Sequence, residues 1–213
     1  NHNLNFFNED IHLLIYLLTL LFIFFIFFNF DNSFPQLFLS LTSSVSNIGF
    51  SLDNNSKNLS FIFLILVIVG GSFFSTSSGL RFLKIYSLFK YSINEILSYS
   101  RPKNIYINKH LFSKEFFQLS EIYKYFLTVI IFIISLLFLT TLLTLSGIEF
   151  ESSFKLSILT LMNTVNSSMY GLADFSFYDL QFFTKYYLIL FMVIGRLELL
   201  TLLIICKKFL FKN

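Results

Sequence analysis

Apolar residues along this chain fall into long runs separated by polar segments. Four runs are long enough, or nearly so, to cross a bilayer as a helix, which takes about 20 apolar residues. They are residues 11–30, 59–74, 125–145 and 186–206. Each is predicted to be helical, because lipid offers no hydrogen-bond partners to backbone N–H and C=O groups.

Two shorter apolar segments lie between these predicted spans, at residues 34–44 and 154–165. A segment of about 10–14 apolar residues is too short to cross and is typical of a re-entrant helix. Pro35 suits the first turn of such a helix, because a backbone N–H there has no helical partner to lose. Each short segment is followed by a polar run, so the order span, short helix, polar loop, span occurs twice. This order predicts an internal repeat of about 100 residues.

The composition indicates the solvent in which the chain folds. Hydrophobic residues make up 55% of the sequence and charged residues only 13%, which is more apolar than soluble domains are. We therefore predict an all-α integral membrane protein. The single cysteine, Cys206, lies in an apolar run and is interpreted as a packing residue, since one cysteine forms no intrachain disulfide.

The connections between the spans differ in charge. Residues 81–124 contain eight Lys and Arg against three Asp and Glu, and residues 207–212 add three lysines. The connections at 31–58 and 148–185 together hold three basic and six acidic residues. Because basic residues collect on the cytoplasmic side, we predict a multi-pass protein of the cell (inner) membrane with the linker and C-terminus in the cytoplasm. The linker charges are interpreted as a topology signal and a contact for anionic lipid, not as a nucleic-acid site.

The loops after the short helices have the chemistry to bind a cation. Backbone carbonyl oxygens that line a water-filled path can replace the hydration shell of an ion. Gly49, in the run SVSNIGF, fits such a loop because glycine permits the backbone angles that turn successive carbonyls one way. The pattern by itself leaves open that Gly49 forms an ordinary turn.

Three stretches resemble the Trk-type potassium uptake proteins, a family grouped with the Ktr and HKT transporters. GGSFFSTSSGLRFLK, residues 70–84, is similar to the glycine-rich break in the third repeat of that family. RPKNIY, residues 101–106, resembles its His-Pro segment, and IGRLELLTLLI, residues 194–204, resembles its final helix. SLTSSVSNIGF and NTVNSSMYGLADF fall where its third and fourth filter loops lie. The resemblance covers nearly the whole chain, in order.

The resemblance implies a pore of four membrane helix–re-entrant pore helix–membrane helix units around a pseudo-fourfold axis. This chain holds two, with the first repeat at residues 1–80, the basic cytoplasmic linker at 81–124 and the second repeat at 125–213. Two filter loops do not surround an ion, so either missing N-terminal repeats or a second chain supplies the rest. Because the sequence begins with Asn1 and not Met, a fragment of a longer protein is the simpler expectation.

The same resemblance assigns roles to single residues. The selectivity-filter candidates are Ser46, Asn47, Ile48 and Gly49 in the first loop and Asn166, Ser167, Ser168 and Met169 in the second. The candidates in a gate loop at residues 70–79 are Gly70, Gly71, Ser75, Thr76 and Gly79. Transported potassium is expected to be held by the filter backbone alone, with no cofactor and no other metal. Close helix packing by small residues is the alternative for the gate loop.

Arg196 and Glu198 lie within the last predicted span. An ionisable residue at that depth is costly and is a functional candidate. In the family the matching arginine projects toward the pore near the gate loop, so Arg196 is the predicted pore arginine. The alternative is a structural salt bridge with Glu198 or with another helix, although residues two apart do not face each other on a regular helix.

Several residues depart from the family pattern. Met169 stands where the fourth filter loop has a glycine, and its β-carbon makes unusual backbone angles costlier. Phe73, Phe74, Ser77 and Ser78 replace smaller residues of the gate loop. In related plant transporters a serine at one filter glycine goes with sodium transport. A sodium-permeable relative and a non-conducting membrane scaffold or decayed paralogue are therefore the alternatives.

The implied function is the pore-forming membrane subunit of a potassium uptake system, with ion selection by loop carbonyls and gating by the Gly/Ser loop. The expected partners are the lipid bilayer, a second copy of the full protein in a homodimer, and a cytoplasmic nucleotide-binding regulatory subunit that docks on the linker and on residues 207–212. An enzyme is not expected. His2, His12 and His110 are far apart in the sequence, and no nucleophile is paired with a base.

Overall fold

The structure, a computed structural model, describes residues 3–27, 34–50, 57–70, 80–99, 119–166, 168–172, 175–178, 180–196 and 208. The described residues are mostly helical. The helices are α1 (Asn3–Phe27), α2 (Phe34–Val45), α3 (Lys57–Ile68), α4 (Phe82–Tyr99), α5 (Leu119–Leu145), α6 (Phe150–Met162) and α7 (Phe182–Arg196). Two strands of two residues each, β1 (Val69–Gly70) and β2 (Leu80–Arg81), and a 3₁₀ turn at Ser168–Tyr170 complete these elements.

The long helices differ in how well they match a bilayer. α5, with 27 residues, is the one helix among the described residues that is long and apolar enough to cross. α1 and α3 contain shorter apolar stretches, at Ile11–Ile26 and Leu59–Ile68. The predicted second span is helical only as far as Ile68, and residues 197–206 of the predicted fourth span lie outside the described part.

The two short helices lie where the sequence predicts them. α2 begins with the predicted residue and ends one residue later than predicted, whereas α6 begins four residues earlier and ends three earlier. The early end of α6 has a local cause, since Asn163 takes a left-handed backbone conformation with φ 53° and ψ 35°. A regular helix does not continue through such a residue.

α6 lies at the centre of the described helices. It contacts α5 and α7 and also reaches α3, and its residues from Leu156 to Met162 are all buried. The buried hydroxyls of this helix are satisfied locally, since those of Ser157 and Thr160 each donate to the carbonyl four residues earlier. Thr140 of α5 also donates to the Ser157 hydroxyl, at 3.1 Å. Local bonds of this kind let a polar residue lie inside an apolar core.

The outer surface of these helices is strongly apolar. Phe22 on α1, Ile134 on α5 and Ile189 on α7 are each at least 60% exposed. A soluble protein rarely presents such large apolar side chains over so much of its surface, whereas lipid solvates them. The fold is therefore that of an all-α membrane protein.

A short parallel strand pair joins the end of α3 to the start of α4. Val69 is paired with Leu80, and Gly70 with Arg81. The predicted gate loop begins at this pair, because Gly70 is its first residue. The other predicted gate residues (Gly71, Ser75, Thr76 and Gly79) lie outside the described residues.

Candidate ion path

Both short helices end in the same backbone arrangement. Asn47 and Asn163 have φ values of 59° and 53°. In each case the asparagine N–H donates to the carbonyl three residues back, and the next N–H donates to the carbonyl five residues back. This is the hydrogen-bond pattern of a Schellman motif, so the two loops leave their helices in the same way.

The two loops touch each other through their backbones. The Val165 N–H donates a hydrogen bond to the Ile48 carbonyl, with an N···O distance of 3.3 Å. Gly49 has φ +81°, and a β-carbon there would lie 2.3 Å from the Val165 carbonyl oxygen and 2.8 Å from Cγ2 of Thr164. Glycine is therefore required at position 49 both by its backbone angle and by the close approach of the second loop.

One serine in the last turn of α2 and one just after the helix hold the first loop. The Ser43 hydroxyl accepts a hydrogen bond from the Phe50 N–H at 2.6 Å, and the Ser46 hydroxyl donates back to the Thr42 carbonyl at 2.7 Å. The hydroxyl residues of the sequence LTSSVS thus bond to the backbone at the end of the helix and in the loop. Backbone groups outside regular structure need such partners where water is scarce.

The second loop turns back into the protein. The Asn166 side-chain amide donates to the Leu172 carbonyl at 3.3 Å, which closes a compact loop around the 3₁₀ turn. Met169 and Tyr170, in this turn, are both 0% exposed. The Met169 sulfur accepts a hydrogen bond from the Ser44 hydroxyl on α2 at 3.7 Å, and the turn packs against α3. The side chain at the place of the family's glycine therefore points into the core.

The backbone of this loop differs from the first one. Met169 is not among the described non-glycine residues with positive φ, whereas Gly171 has φ +72°. A β-carbon on Gly171 would lie 3.1 Å from Nζ of Lys155 and 3.3 Å from the Ser60 hydroxyl. A left-handed conformation is unfavourable for methionine. In this loop it is adopted by Gly171, two residues after Met169.

A charged pair lies behind the second loop. The Lys155 ammonium contacts the Glu151 carboxylate at 2.6 Å, and the Lys155 side chain is 14% exposed against 73% for Glu151. The pair joins residues one turn apart on α6, where such pairs stabilise a helix. Lys155 also lies close to Gly171, so it connects α6 to the loop that follows this helix.

Some buried polar atoms around the loops have no hydrogen-bond partner within the described part of the chain. They include the Thr164 hydroxyl and the Asn166 side-chain oxygen. The Tyr170 hydroxyl lies beside the Ser44 hydroxyl without a well-aligned hydrogen bond. Such groups are costly to bury unless they meet water, an ion or another chain.

Arg196 lies in the last turn of α7, with its side chain exposed. The neighbouring Gly195 packs so closely on α6 that a β-carbon would lie 2.1 Å from the Leu161 carbonyl oxygen. The Asn163 amide adds a hydrogen bond to the Met192 carbonyl at 2.9 Å. These contacts place Arg196 where α7 crosses the end of α6, next to the start of the second loop.

The structure brings together only some of the predicted site residues. The two loops that meet contain all four predicted residues of the first loop (46–49) and three of the second, which are Asn166, Ser168 and Met169. Arg196 lies beside the second loop. Ser167 lies outside the described residues, as does Glu198. The sequence interpretation missed the structural roles of Ser44, Tyr170 and Gly195. Of these, Gly195 had a signal, because it directly precedes Arg196 in a stretch already identified as informative.

Comparisons with known proteins agree with this architecture. No protein-family model matches the sequence. The chain is 27% identical over 178 residues to the Trk system potassium uptake protein TrkH of Escherichia coli K12, and equally to that of Salmonella typhimurium. Each match covers 80% of this chain and 35% of the relative, so the chain spans about a third of the length of these relatives.

The fold also resembles that of a solved potassium transporter. The crystal structure of the potassium transporter TrkH from Vibrio parahaemolyticus superposes with a TM-score of 0.76 at 21% identity, over 95% of this chain and 44% of that one. The predicted resemblance is thus confirmed, and the relatives are transporters and not enzymes. In sequence and in fold, this all-α membrane chain resembles part of a Trk-type transporter.

Proposed function

We propose that the chain forms part of the ion path of a Trk-type potassium uptake system. The observation that carries the proposal is the backbone contact between the two loops, in which Val165 bonds to Ile48 and Gly49 packs on Val165. The relatives named as potassium uptake proteins support the choice of ion. In this proposal α1–α3 and α5–α7 are two membrane helix–pore helix–membrane helix units, which make half of a pseudo-fourfold pore.

The mechanism rests on backbone oxygens and helix ends. The carboxyl ends of α2 and α6 lead directly into the two loops, and the partial negative charge of a helix C-terminus favours a cation there. Carbonyls of residues 46–49 and 166–169 replace the ion's hydration shell. The ion then passes down its electrochemical gradient, and no step requires a cofactor.

Gating is assigned to residues 70–79 and to Arg196. The strand pair of β1 with β2 fixes the two ends of this loop next to each other. Arg196 lies next to the start of the second loop, at the crossing of α6 and α7, and its positive charge would raise the barrier for a cation that approaches it. Movement of the loop relative to Arg196 would lower that barrier.

The decisive test is the uptake of potassium, with rubidium as tracer, by cells that express Gly49→Ala in the full-length protein. The new methyl group meets the backbone of the second loop, and overpacking of this kind costs about 1–3 kcal/mol. Where this strain displaces the two loops of the folded protein and raises the barrier to the ion by that amount, uptake per folded molecule should fall about tenfold or more, since about 1.4 kcal/mol is tenfold in rate.

Gly147→Ala is the matched control for this experiment. Gly147 also has positive φ, at +92°, but nothing lies within 4 Å of its β-carbon position. The control therefore imposes the same kind of backbone strain without touching either loop, and its uptake per folded molecule should stay near wild type. Equal uptake by both variants would show that the loop contact does not serve transport.

Met169 favours a second candidate, a membrane scaffold that conducts no ion. Its backbone lacks the positive φ that Gly49 has in the first loop, so the two loops do not present their carbonyls in the same way. Flux measurements on the full-length protein separate the candidates. Potassium flux supports the pore, sodium flux supports a sodium-permeable relative, and the absence of both in the wild type supports the scaffold.

The orientation and the partners follow from the same proposal. In this proposal the protein lies in the inner membrane, with residues 81–124 and the C-terminus in the cytoplasm. Lys208, in the C-terminal segment, is exposed. A nucleotide-binding regulatory subunit would dock on these basic segments. The full protein would form a homodimer in the bilayer, with no role for nucleic acid.

A further inference from the structure

A largely buried lysine lies against the second loop, just after the 3₁₀ turn. The Lys155 side chain on α6 is 14% exposed, and its ammonium contacts the Glu151 carboxylate at 2.6 Å. A β-carbon on Gly171 would lie 3.1 Å from Nζ of Lys155 and 3.3 Å from the Ser60 hydroxyl oxygen on α3. The second loop, α6 and α3 therefore meet at this ammonium, and the lack of a side chain at residue 171 makes room for it.

The two members of the charged pair differ in their surroundings. Glu151 is 73% exposed, one helical turn before Lys155. A charge taken out of water is costly unless it is paired, and Glu151 supplies the opposite charge from the exposed side. A lysine ammonium carries three N–H donors, so it can bond to Glu151 while it faces Gly171 and Ser60. Glu151 therefore fixes the ammonium in place, and the ammonium lies against the loop.

The backbone at this point is connected to a predicted filter residue. Gly171 precedes Leu172, whose carbonyl accepts the hydrogen bond from the Asn166 side-chain amide at 3.3 Å. We call Gly171 and Leu172 the return segment. A glycine does not hold one backbone conformation by itself, and Gly171 has φ +72°. Contacts from outside the loop therefore set where the return segment, and with it the partner of Asn166, lies.

The first unit holds its loop in another way. Because Asn47 and Asn163 end their helices with the same hydrogen bonds, the residues of α2 and α6 can be matched by counting back from these two positions. Ser43, whose hydroxyl accepts a bond from the Phe50 N–H, then corresponds to Leu159. A leucine offers no hydrogen bond, so α6 cannot hold its loop as α2 does.

The charged pair occurs in the second unit and not at the matching positions of the first. Lys155 corresponds to Leu39 on α2, and Glu151 corresponds to Pro35. The second unit thus lacks the serine that holds the first loop and has an ion pair where the first unit has two uncharged residues. Two units with the same helix end therefore use different contacts to hold the loops that follow.

We infer that Lys155, fixed by Glu151, is a positioning residue for the second loop and thereby affects which monovalent cation passes. The inference rests on the proposed function, since it takes residues 166–169 as part of the ion path. Selection between potassium and sodium depends on how loop carbonyls are spaced and oriented around the ion. A return segment without its ammonium contact would let Asn166 and its neighbours shift toward the smaller ion.

The test is the uptake of rubidium and of sodium by cells that express Lys155→Met in the full-length protein. Methionine keeps an unbranched side chain and removes the ammonium. Uptake is measured over a range of ion concentrations and is divided by the amount of folded protein, as determined by gel filtration in detergent. We expect the ratio of rubidium to sodium uptake to fall roughly tenfold, the scale of one hydrogen bond to a charged group. The change should come mainly from a higher KM for rubidium.

Lys185→Met is the matched control. The Lys185 ammonium on α7 donates to the Tyr178 carbonyl at 3.0 Å. The control therefore removes the same charge and a hydrogen bond to a backbone carbonyl, but not at the return segment, and its uptake ratio should equal that of wild type. Glu151→Gln is a second variant at an exposed position. It leaves the ammonium without its opposite charge, and the ratio should fall in the same direction by a smaller factor.

The outcomes separate this inference from the proposed function. Ion uptake by Lys155→Met with the wild-type ratio, even at a lower yield of folded protein, would overturn the positioning role and leave the pore standing. An equal fall in Lys185→Met would also overturn it. If Lys155→Met yields no folded protein, Glu151→Gln decides, because a lowered ratio supports the inference and the wild-type ratio contradicts it. A wild-type protein that takes up neither ion would contradict the proposed function and this inference together.

Discussion

At the scale of single residues, Gly195 sets how closely α7 approaches the pore-helix candidate α6. A β-carbon at this position would lie 2.1 Å from the Leu161 carbonyl oxygen, a distance that real contacts do not reach. The atom in the way is backbone and not a side chain that could rotate aside. Because residue 195 has no side chain, α7 can pack close to α6, and this close packing brings Arg196 next to the start of the second loop.

Gly195→Ala should destabilise the protein, although helix propensity alone favours alanine over glycine. In an unhindered helix interior, alanine is about 1 kcal/mol more favourable than glycine. Here the methyl group forces α6 and α7 apart, and overpacking costs about 1–3 kcal/mol. Thermal unfolding in detergent should therefore show a lower midpoint than wild type.

Val193→Ala is the matched control on the same helix, because Val193 is 55% exposed and its truncation leaves the α6 contact unchanged. A Gly195→Ala protein at least as stable as this control would mean that the close crossing of α7 on α6 is incorrect.

A backbone rule predicted the conformation of Gly49, although its place in a filter stays a prediction, whereas residues whose position depends on packing were missed. Gly49 was singled out because glycine suits a loop with unusual angles, and it has φ +81°. Tyr170 could not be anticipated, since nothing in a polar loop sequence indicates that an aromatic ring is 0% exposed. Its place depends on α3 and Ser44, which are more than a hundred residues earlier in the chain.

At the scale of elements, apolar runs predict where helices lie but not where they end. The run at 154–165 predicted the second short helix, yet α6 ends at Met162, because Asn163 adopts the left-handed conformation. The run at 59–74 predicted one span, whereas the described helix ends at Ile68. Helix ends depend on single residues and on tertiary hydrogen bonds, which hydropathy does not report.

Asn163 combines two functions at the end of α6, and two substitutions separate them. Asn163→Gly keeps the left-handed conformation easily but loses the amide bond to the Met192 carbonyl, which is worth about 1 kcal/mol. Asn163→Ala loses that bond and also meets a left-handed cost of about 1–2 kcal/mol. Thermal unfolding should therefore rank wild type above Asn163→Gly and Asn163→Gly above Asn163→Ala. Equal stability of the two variants would show that residue 163 is not left-handed in the protein.

At the scale of the whole molecule, the described helices include two similar parts, each with a short helix that ends at a left-handed asparagine and leads into a loop. The chain spans 35% of its curated relatives and 44% of a solved TrkH chain, and its two loops meet through the hydrogen bond from the Val165 N–H to the Ile48 carbonyl. The sequence predicted the two-part order from apolar runs alone, but the contact between the loops required the fold.

The orientation of the whole chain is open to a direct experiment with two matched tyrosines. Tyr99, at the end of α4, is 84% exposed, and Tyr178, between the second loop and α7, is 91% exposed. Positive-inside counting places Tyr99 in the cytoplasm and Tyr178 outside. In a Cys206→Ser background, a membrane-impermeant maleimide should label Tyr178→Cys in intact cells and Tyr99→Cys only after permeabilisation.

The background protein without either cysteine gives the blank. Labelling of Tyr99→Cys in intact cells would invert the topology, and the basic linker would then lie outside, away from any cytoplasmic regulatory subunit.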